Sequence, residues 1–277
     1  MPIIAIQGEP GSFSHEATTR LFSDATLLPC AISRLAFDAL VSGKADAAVL
    51  PIENSLAGSV LEHYDLLLQH PVTIEREMFL RIEHNLIVYP GATLNQIRRV
   101  LSHPIALAQC NRFFLDHPSI QPSAAYDTAG SVKQLVSEKN PSIAAIAPAR
   151  AASEYGGEIL LRNLEDNPQN YTRFFVVRRQ ESATAPYSPA AEGINKASLA
   201  FTLPNQPGAL VSALQILANL GANLTRLESR PVLGQPWHYV FYADYGFSNP
   251  SVADQALAGL AAICPSVKEL GRFPAAE

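Results

Sequence analysis

A threonine and an arginine stand side by side at the start of the most apolar strand that the sequence predicts. Thr172 and Arg173 precede Phe174 and the run 175–177, whose aromatic and β-branched residues are typical of a strand buried on both faces. At the mouth of that strand a hydroxyl can donate a hydrogen bond and a guanidinium can hold a carboxylate in two places. For an isolated pair of this kind, an ordinary strand start with a surface ion pair is the favoured explanation.

Three more polar turns follow predicted strands, and each turn leads into a helix. Their polar residues are Ser12 and Ser14 after Gly8-Glu9-Pro10-Gly11, Glu53-Asn54-Ser55, and Ser102-His103 before a helix that contains Gln109. Ligand sites of open α/β sheets form past the carboxyl ends of strands, and helix N-termini attract anions. A plain turn or a helix cap remains the alternative for each stretch taken alone.

The charge and the cysteine content of the sequence argue against several classes of protein. A net charge of -5 over 277 residues, with no basic run, argues against nucleic acid or an anionic membrane as the main partner. The three cysteines, Cys30, Cys110 and Cys264, are far apart in the sequence, which indicates neither a disulfide framework nor a zinc site. The widely spaced cysteines are expected to be buried, reduced thiols. Because no basic segment follows Met1 and no apolar stretch is long, we expect a cytoplasmic location.

The element pattern predicts an α/β protein with a second, smaller module. Strands and helices alternate up to residue 180, which favours a mostly parallel sheet covered by helices, and the extended stretch 72–88 would carry the chain from one lobe to another. The pattern also predicts a helix over 93–99 and one helix from 104 towards 114. Residues 181–196 are typical of a linker, and 197–277 follow the ferredoxin-like βαββαβ order with one exposed sheet edge.

Taken together, several stretches resemble the prephenate dehydratase family. These stretches are Gly8 to Ala17, Pro51-Ile52-Glu53-Asn54-Ser55, Ser102-His103-Pro104 through Cys110, and Asn170-Tyr171-Thr172-Arg173-Phe174. Two more, Pro207-Gly208-Ala209-Leu210 and Glu228-Ser229-Arg230-Pro231, are similar to the signatures of that family's ACT regulatory domain. The resemblance covers almost the whole chain. It departs from the family at Ile105, where a glutamine usually follows Ser-His-Pro.

The resemblance implies a fold and a reaction. Residues 1–180 would form a two-lobed catalytic domain similar to a periplasmic binding protein, and residues 197–277 an ACT domain. The reaction would convert prephenate to phenylpyruvate, water and carbon dioxide during L-phenylalanine biosynthesis, as a carbon–oxygen lyase does. Because aromatisation drives the elimination, no metal, nicotinamide or pyridoxal cofactor is expected.

The same resemblance, together with the needs of the reaction, assigns roles to individual residues. Thr172 would donate to the leaving oxygen, with Glu53 and His103 as alternatives, because a threonine hydroxyl is a poor free acid. The remaining assignments are Ser102 and Gln109 as catalytic residues and Arg173, Phe174, Asn54, Ser12 and Ser55 as substrate-binding residues. Arg173 would hold a substrate carboxylate with its planar fork.

A second ligand is expected in the C-terminal domain. The resemblance implies that L-phenylalanine binds where two ACT domains meet, in a homodimer or homotetramer, and inhibits the distant cleft. The residues concerned are Pro207, Gly208, Ala209, Leu210, Glu228 and Ser229. A helix start suits the carboxylate of an amino acid, and a carboxylate with a hydroxyl suits its ammonium group.

Two alternatives to prephenate dehydratase activity stay open at this point. Arogenate differs from prephenate only in carrying an amino group in place of the keto group, so arogenate dehydratase is the neighbouring enzyme hypothesis. A non-catalytic metabolite sensor is the hypothesis from another class. A hydroxyl at the reacting centre favours an enzyme, because a sensor has no use for it.

Overall fold

The computed structural model describes residues 1–180, 193–232 and 234–276. Two compact units account for the chain: Met1–His63 with Met78–Phe174, and Tyr64–Glu77 with Phe175–Glu277. Most of the expected linker, residues 181–192, falls outside the described residues. The grouping into units does not test the domain boundaries expected at 180 and 197, which stay predictions.

The first lobe of the first unit contains a parallel sheet with helices beside it. Its elements are β1 (Ile3–Gln7), α1 (Phe13–Leu21), β2 (Thr26–Cys30), α2 (Ser33–Val41), β3 (Ala47–Asn54) and β4 (Gly58–Ser59). Strand β1 lies between β2 and β3 and is parallel to both. The short β4 turns back against the end of β3 and pairs Glu53 with Ser59. The next helix, α3 (Leu61–Gln69), runs from the first unit into the second.

The second lobe is built on a separate five-stranded sheet. After β5 (Val72–Arg81), which belongs to the first sheet, come β6 (Asn85–Val88), β7 (Arg99–Ser102), α4 (Pro104–Gln109), α5 (Asn111–Asp116), β8 (Gln121–Ala124), α6 (Thr128–Glu138), β9 (Ile143–Ala147), α7 (Ala149–Tyr155) and β10 (Glu158–Leu161). The strand order is β10-β6-β9-β7-β8. Strand β7 is parallel to β8 and β9, while β6 is antiparallel to its neighbours β9 and β10. The mixed α/β fold with two sheets agrees with the sequence pattern.

Two predicted helices of this lobe are wrong. The stretch 93–99 holds only a 3₁₀ turn, Leu94–Gln96, closed by the Thr93 N–H donating to Gln96 Oε1 at 2.8 Å. Ile97 is fully buried and extended, so core packing carries the chain directly into β7. The expected single helix 104–114 is divided at Cys110 into α4 and α5. The Asp166 carboxylate accepts the N–H groups at the start of α5, which caps it independently of α4.

Strand β11 (Tyr171–Arg179) returns the chain to the first sheet beside β3. Its residues Phe174 to Val177 are at most 1% exposed, which confirms a strand buried on both faces. The strand starts in the first unit and continues into the second. Its first residues therefore lie next to the end of β3, where the Ser55 N–H donates to the Tyr171 carbonyl at 2.8 Å.

The C-terminal part of the second unit has the expected βαββαβ order. Its elements are β12 (Lys196–Thr202), α8 (Ala209–Asn219), β13 (Asn223–Pro231), β14 (Tyr239–Gly246), α9 (Ser251–Ile263) and β15 (Ser266–Phe273). The antiparallel order β13-β14-β12-β15 leaves β13 at one edge. Leu217, Leu260 and Phe201 pack in a core between helices and sheet. Nowhere in the described residues does a helix have the length and apolar character needed to span a membrane.

The three cysteines are free and buried, as the sequence suggested. Burial raises the pKa of each thiol, because a thiolate loses hydration inside the protein. All three therefore act as small apolar core residues.

Candidate active site

A pocket of about 220 Å³ lies between the two lobes of the first unit. Its walls are formed past the carboxyl ends of β1, β2, β3, β7 and β8, and by the first residues of β11. This is the position in which ligands bind to open α/β sheets. Five polar or site residues named from the sequence line it: Ser12, Ser14, His103, Thr172 and Phe174.

Helices from both lobes begin at this pocket. The Ser12 hydroxyl accepts the N–H of His15 at the start of α1, and the Asp127 carboxylate accepts the N–H of Gly130 at the start of α6, at 2.8 Å. Residues of both first turns line the pocket. The positive dipole ends and first-turn N–H groups of two helices suit a ligand with negative charges. Burial raises the pKa of Asp127, although its backbone N–H partners oppose that change.

Two glycines let the lobes approach each other here. Gly8 and Gly11 have φ values of 98° and 85°, which side chains rarely adopt. A Cβ at Gly8 would lie 2.5 Å from Asp127 Oδ2, and one at Gly11 would lie 2.9 Å from the Cα of Ala151. The turn between β1 and α1 therefore has no room for side chains.

The Glu9 carboxylate joins this turn to the second lobe. It accepts hydrogen bonds from the Tyr126 hydroxyl at 2.8 Å and the Lys133 ammonium at 3.0 Å. Partial burial acts to raise the pKa of Glu9, but these hydrogen bonds and the charge of Lys133 prevail and lower it. The ionised carboxylate thus favours the arrangement in which the lobes are in contact.

Behind the pocket, four residues form a hydrogen-bonded cluster with Thr172, which we call the amide cluster. Its members are His84, Gln109, Asn54 and Asn170. Asn54 Nδ2 donates to Thr172 Oγ1 at 3.0 Å, and Gln109 Nε2 donates to Asn54 Oδ1 at 3.1 Å. Three residues predicted from separate stretches of sequence, Asn54, Gln109 and Thr172, are thus brought together.

Arg173, next to Thr172 in β11, does not line the pocket. Side chains alternate along a strand, so Arg173 points to the face of β11 opposite Thr172 and Phe174. It is 5% exposed, and its guanidinium lies 4.0 Å from the Glu53 carboxylate. Arg173 and Glu53 are therefore neighbours of each other, and their roles towards substrate stay predictions.

Two predicted serines support the backbone around the site. The Ser102 hydroxyl is fully buried and donates to the Ile146 carbonyl at 2.6 Å, which ties β7 to β9. The Ser55 hydroxyl donates to the Gln169 carbonyl and accepts the N–H of Tyr171, which holds the end of β3 against β11. Neither serine lines the pocket, so the contacts they make are with the scaffold.

His103 does line the pocket, as the first residue after β7. Its Nδ1 accepts the N–H of Ile105 at 3.3 Å, so in the neutral ring the proton sits on Nε2. His103 is therefore a second candidate donor. The Ile105 side chain, where the sequence departs from the family pattern, is largely exposed.

Four residues of the site were assigned no role from the sequence: Tyr126, Asp127, His84 and Asn170. The first two line the pocket, and the last two belong to the amide cluster. Asp127 stands before a helix in the same strand, turn and helix order as the other turns, which is a usable signal. His84 gives no such signal, because it lies in a short link between two strands.

In the second unit, the residues expected to bind an amino acid fall on α8 and β13. Gly208 has a left-handed φ of 80° immediately before α8, while Pro207 precedes it and Ala209 and Leu210 begin the helix. Glu228 and Ser229 lie on β13, where Arg226 approaches the Glu228 carboxylate to 3.4 Å. The turn geometry expected for this stretch is present.

Comparisons with known proteins agree with this geometry. The family model for prephenate dehydratase matches residues 4–182. An arogenate dehydratase/prephenate dehydratase of Arabidopsis thaliana is 37% identical over 98% of this chain and 72% of its own length. The bifunctional chorismate mutase/prephenate dehydratase of Escherichia coli (strain K12) is 36% identical over 98% of this chain and 70% of its own.

Solved structures give the same fold with two different descriptions. Prephenate dehydratase from Arthrobacter aurescens, in complex with L-Phe, has a TM-score of 0.87 and 34% identity over 98% of this chain and 89% of its own. GqqA, described as a novel type of quorum quenching acylase, also has a TM-score of 0.87, with 36% identity over 99% of this chain and 98% of its own. From the family match and these relatives, the chain belongs to the prephenate dehydratase family of lyase-type enzymes.

Proposed function

We propose that the protein converts prephenate to phenylpyruvate, water and carbon dioxide. In this reaction the ring C–O bond breaks and its electron pair leaves with the oxygen, which takes up a proton. The bond to the ring carboxylate breaks as well, and its electron pair completes the aromatic ring. The site must therefore offer a donor to the leaving oxygen and a place for two carboxylates.

The position of Thr172 carries this proposal. Thr172 lines the pocket, and its hydroxyl oxygen lies 3.0 Å from the Asn54 amide nitrogen, which can only donate to it. The hydroxyl proton is thus available to another acceptor, and a leaving oxygen is such an acceptor. The starts of α1 and α6 supply N–H groups for the carboxylates without an arginine in the pocket lining.

Arogenate is the second candidate substrate, because several relatives carry that name. An acylase activity is the third, after the description of GqqA. Acyl transfer by a hydroxyl needs a base that takes its proton. The partner of Thr172 Oγ1 is an amide N–H, which is itself a donor, so this geometry favours the dehydratase.

The test is incubation of the purified protein with prephenate, arogenate and an N-acylated amide in turn. Phenylpyruvate from prephenate is the expected product, with Thr172→Ala as the inactive control. Release of phenylalanine from arogenate alone would reassign the substrate. Hydrolysis of the acyl amide without either dehydration would overturn the proposal.

Feedback inhibition by L-phenylalanine through an ACT domain belongs to the same proposal. Its support is the βαββαβ order, the left-handed Gly208 before α8, and the description of the Arthrobacter aurescens protein as a complex with L-Phe. The free edge of β13 suits pairing with a second copy, which supports a homodimer or homotetramer. The cytoplasmic location is proposed from the composition of the sequence. We also propose that the two lobes of the first unit are arranged as in a periplasmic binding protein.

Calorimetry on the full chain tests the regulatory part. L-phenylalanine should bind the wild type and inhibit turnover, and Ser229→Ala should weaken binding while kcat stays unchanged without effector. Thr225→Ala, on the same strand, is the matched control. No heat of binding to the wild-type protein would remove the regulatory proposal.

A further inference from the structure

The direction of each hydrogen bond in the amide cluster can be worked out from backbone groups. The N–H groups of Leu56 and Ala57 point at one atom of the Asn54 amide, at 3.1 and 2.9 Å, and the Tyr171 carbonyl faces the other at 3.1 Å. A backbone N–H only donates and a carbonyl only accepts. The first atom of Asn54 is therefore the oxygen and the second is the nitrogen.

This fixed amide determines the groups on either side. Three acceptors share the two protons of the Asn54 nitrogen: Asn170 Oδ1 at 2.7 Å, the Tyr171 carbonyl at 3.1 Å and Thr172 Oγ1 at 3.0 Å. An amide nitrogen does not accept a hydrogen bond, so Thr172 cannot donate to it and its hydroxyl proton points elsewhere. Gln109 faces the oxygen of Asn54 and must present its nitrogen. The Gln109 oxygen is then turned towards Asn170 Nδ2 at 2.9 Å and His84 Nε2 at 3.0 Å, and both of these atoms must donate.

The ring of His84 fits this requirement. Its Nε2 must carry the proton in order to donate to Gln109, which leaves Nδ1 as a bare acceptor. Among the described residues Nδ1 has no hydrogen-bond partner, and an unpartnered acceptor is less costly than an unpartnered N–H. His84 is 2% exposed, and its ring packs edge-on against Phe13, which lines the pocket. Its backbone N–H donates to the Glu165 carboxylate. Burial lowers the pKa of His84 and keeps the ring neutral, although the Gln109 bond acts against that shift.

We propose that His84 is a positioning residue: through Gln109 and Asn54 it holds the amide cluster in the one direction that leaves the Thr172 proton free for the leaving oxygen. The proposal rests on the proposed dehydratase function. His84 touches no substrate, and its effect passes through two amides. Loss of its donor leaves the Gln109 oxygen with one partner and allows Gln109 to turn away from Asn54.

Two substitutions separate this role from simple packing. His84→Leu keeps much of the volume but removes the donor, and kcat for prephenate should fall roughly 10- to 100-fold, as expected for one buried hydrogen bond, with little change in KM. His84→Gln places an amide N–H near the former Nε2 and should recover kcat to within about threefold of the wild type. His117→Leu and His117→Gln, at a histidine of the same lobe outside the pocket, are the matched controls.

A second measurement does not depend on activity. Nitrogen-15 NMR of the histidine rings in the wild-type protein at pH 8 should show a neutral ring in the Nε2–H form that is absent from the His84→Gln spectrum. An Nδ1–H ring for His84 would overturn the proposal, as would unchanged kcat in a folded His84→Leu protein. If the wild type turns over no prephenate while the tautomer is as expected, the proposed function fails and the hydrogen-bond direction stands.

Discussion

The two sides of the cleft use their hydrogen-bonding groups in opposite ways. In the amide cluster, Asn54, Gln109 and Asn170 are bound to other protein groups, so the orientation of Thr172 is set before substrate arrives. On the other side, residues in the first turns of α1 and α6 line the pocket, where the positive ends of two helix dipoles favour anions. One side is preorganised for chemistry, and the other is open to bind anions. Changes on the first side should therefore reduce kcat, and changes on the second side should raise KM.

The largest expected effect comes from removing the hydroxyl itself. Thr172→Ala should reduce kcat by about 10²–10⁴-fold, the usual range for a group that donates to a reacting atom. Substrate binding and thermal stability should change little, because Thr172 lies at the edge of the core. Steady-state kinetics with prephenate provide the measurement, and Thr26→Ala, at the exposed start of β2, is the control. Residual activity above about a tenth of wild type would contradict the assignment.

Reversing one hydrogen bond in the amide cluster should have the next largest effect. Asn54→Asp replaces the N–H that faces Thr172 by an acceptor, so the threonine would donate to the carboxylate and not to substrate. We expect kcat to fall about 100-fold with KM nearly unchanged. Asn167→Asp, an exposed position outside the cluster, controls for the added charge. A rise in KM alone would place Asn54 among the binding groups.

The Arg173→Lys substitution tests whether substrate binding also depends on the face of β11 opposite Thr172. Arg173→Lys keeps the charge and loses the planar fork, so KM should rise about tenfold and more than kcat falls if the guanidinium reaches a substrate carboxylate. Kinetics at saturating and limiting prephenate separate the two parameters. An unchanged KM would leave Arg173 as the ion-pair partner of Glu53 seen in the structure.

The smallest effect is expected at the contact between the lobes, and it depends on pH. The pKa of Glu9 is lowered in the folded protein. The ionised carboxylate therefore stabilises the contact between the lobes above the ordinary carboxyl range, and this stabilisation is lost as pH falls through the lowered pKa. KM of the wild type should rise severalfold in that acid range, because the bonds from Tyr126 and Lys133 are lost. Glu9→Gln should show the higher KM at every pH. A KM profile of this variant that still follows pH like the wild type would assign the titration to another group.

Local patterns in the sequence were enough to find part of the site. The turn at Asn54 and the serine that caps α1 each belong to a strand, turn and helix pattern that a short stretch contains, and the role of Thr172, at the start of an apolar strand, followed from the family resemblance. The buried strand at Phe174 and the βαββαβ order were predictable for the same reason.

Contacts between distant segments were not predictable in this way. His84 meets Gln109 across 25 positions, and Asp166 caps α5 from 55 positions away. The division of the helix at Cys110 follows from such a contact, and the extended backbone at Ile97 follows from its burial in the core. Which face of β11 lines the pocket was not predictable either: side chains alternate along the strand, so Thr172 and Phe174 line the pocket and Arg173 does not.

The most direct test of the central claim compares kcat for prephenate in Thr172→Ser and Thr172→Val. Serine keeps the hydroxyl and loses a methyl group, whereas valine keeps the shape and loses the hydroxyl. If the hydroxyl donates to the leaving oxygen, the serine variant should retain turnover within about tenfold of the wild type, and the valine variant should lose at least about 100-fold. Equal losses in the two folded variants, or an active valine variant, would show that dehydration in this cleft does not depend on the Thr172 hydroxyl.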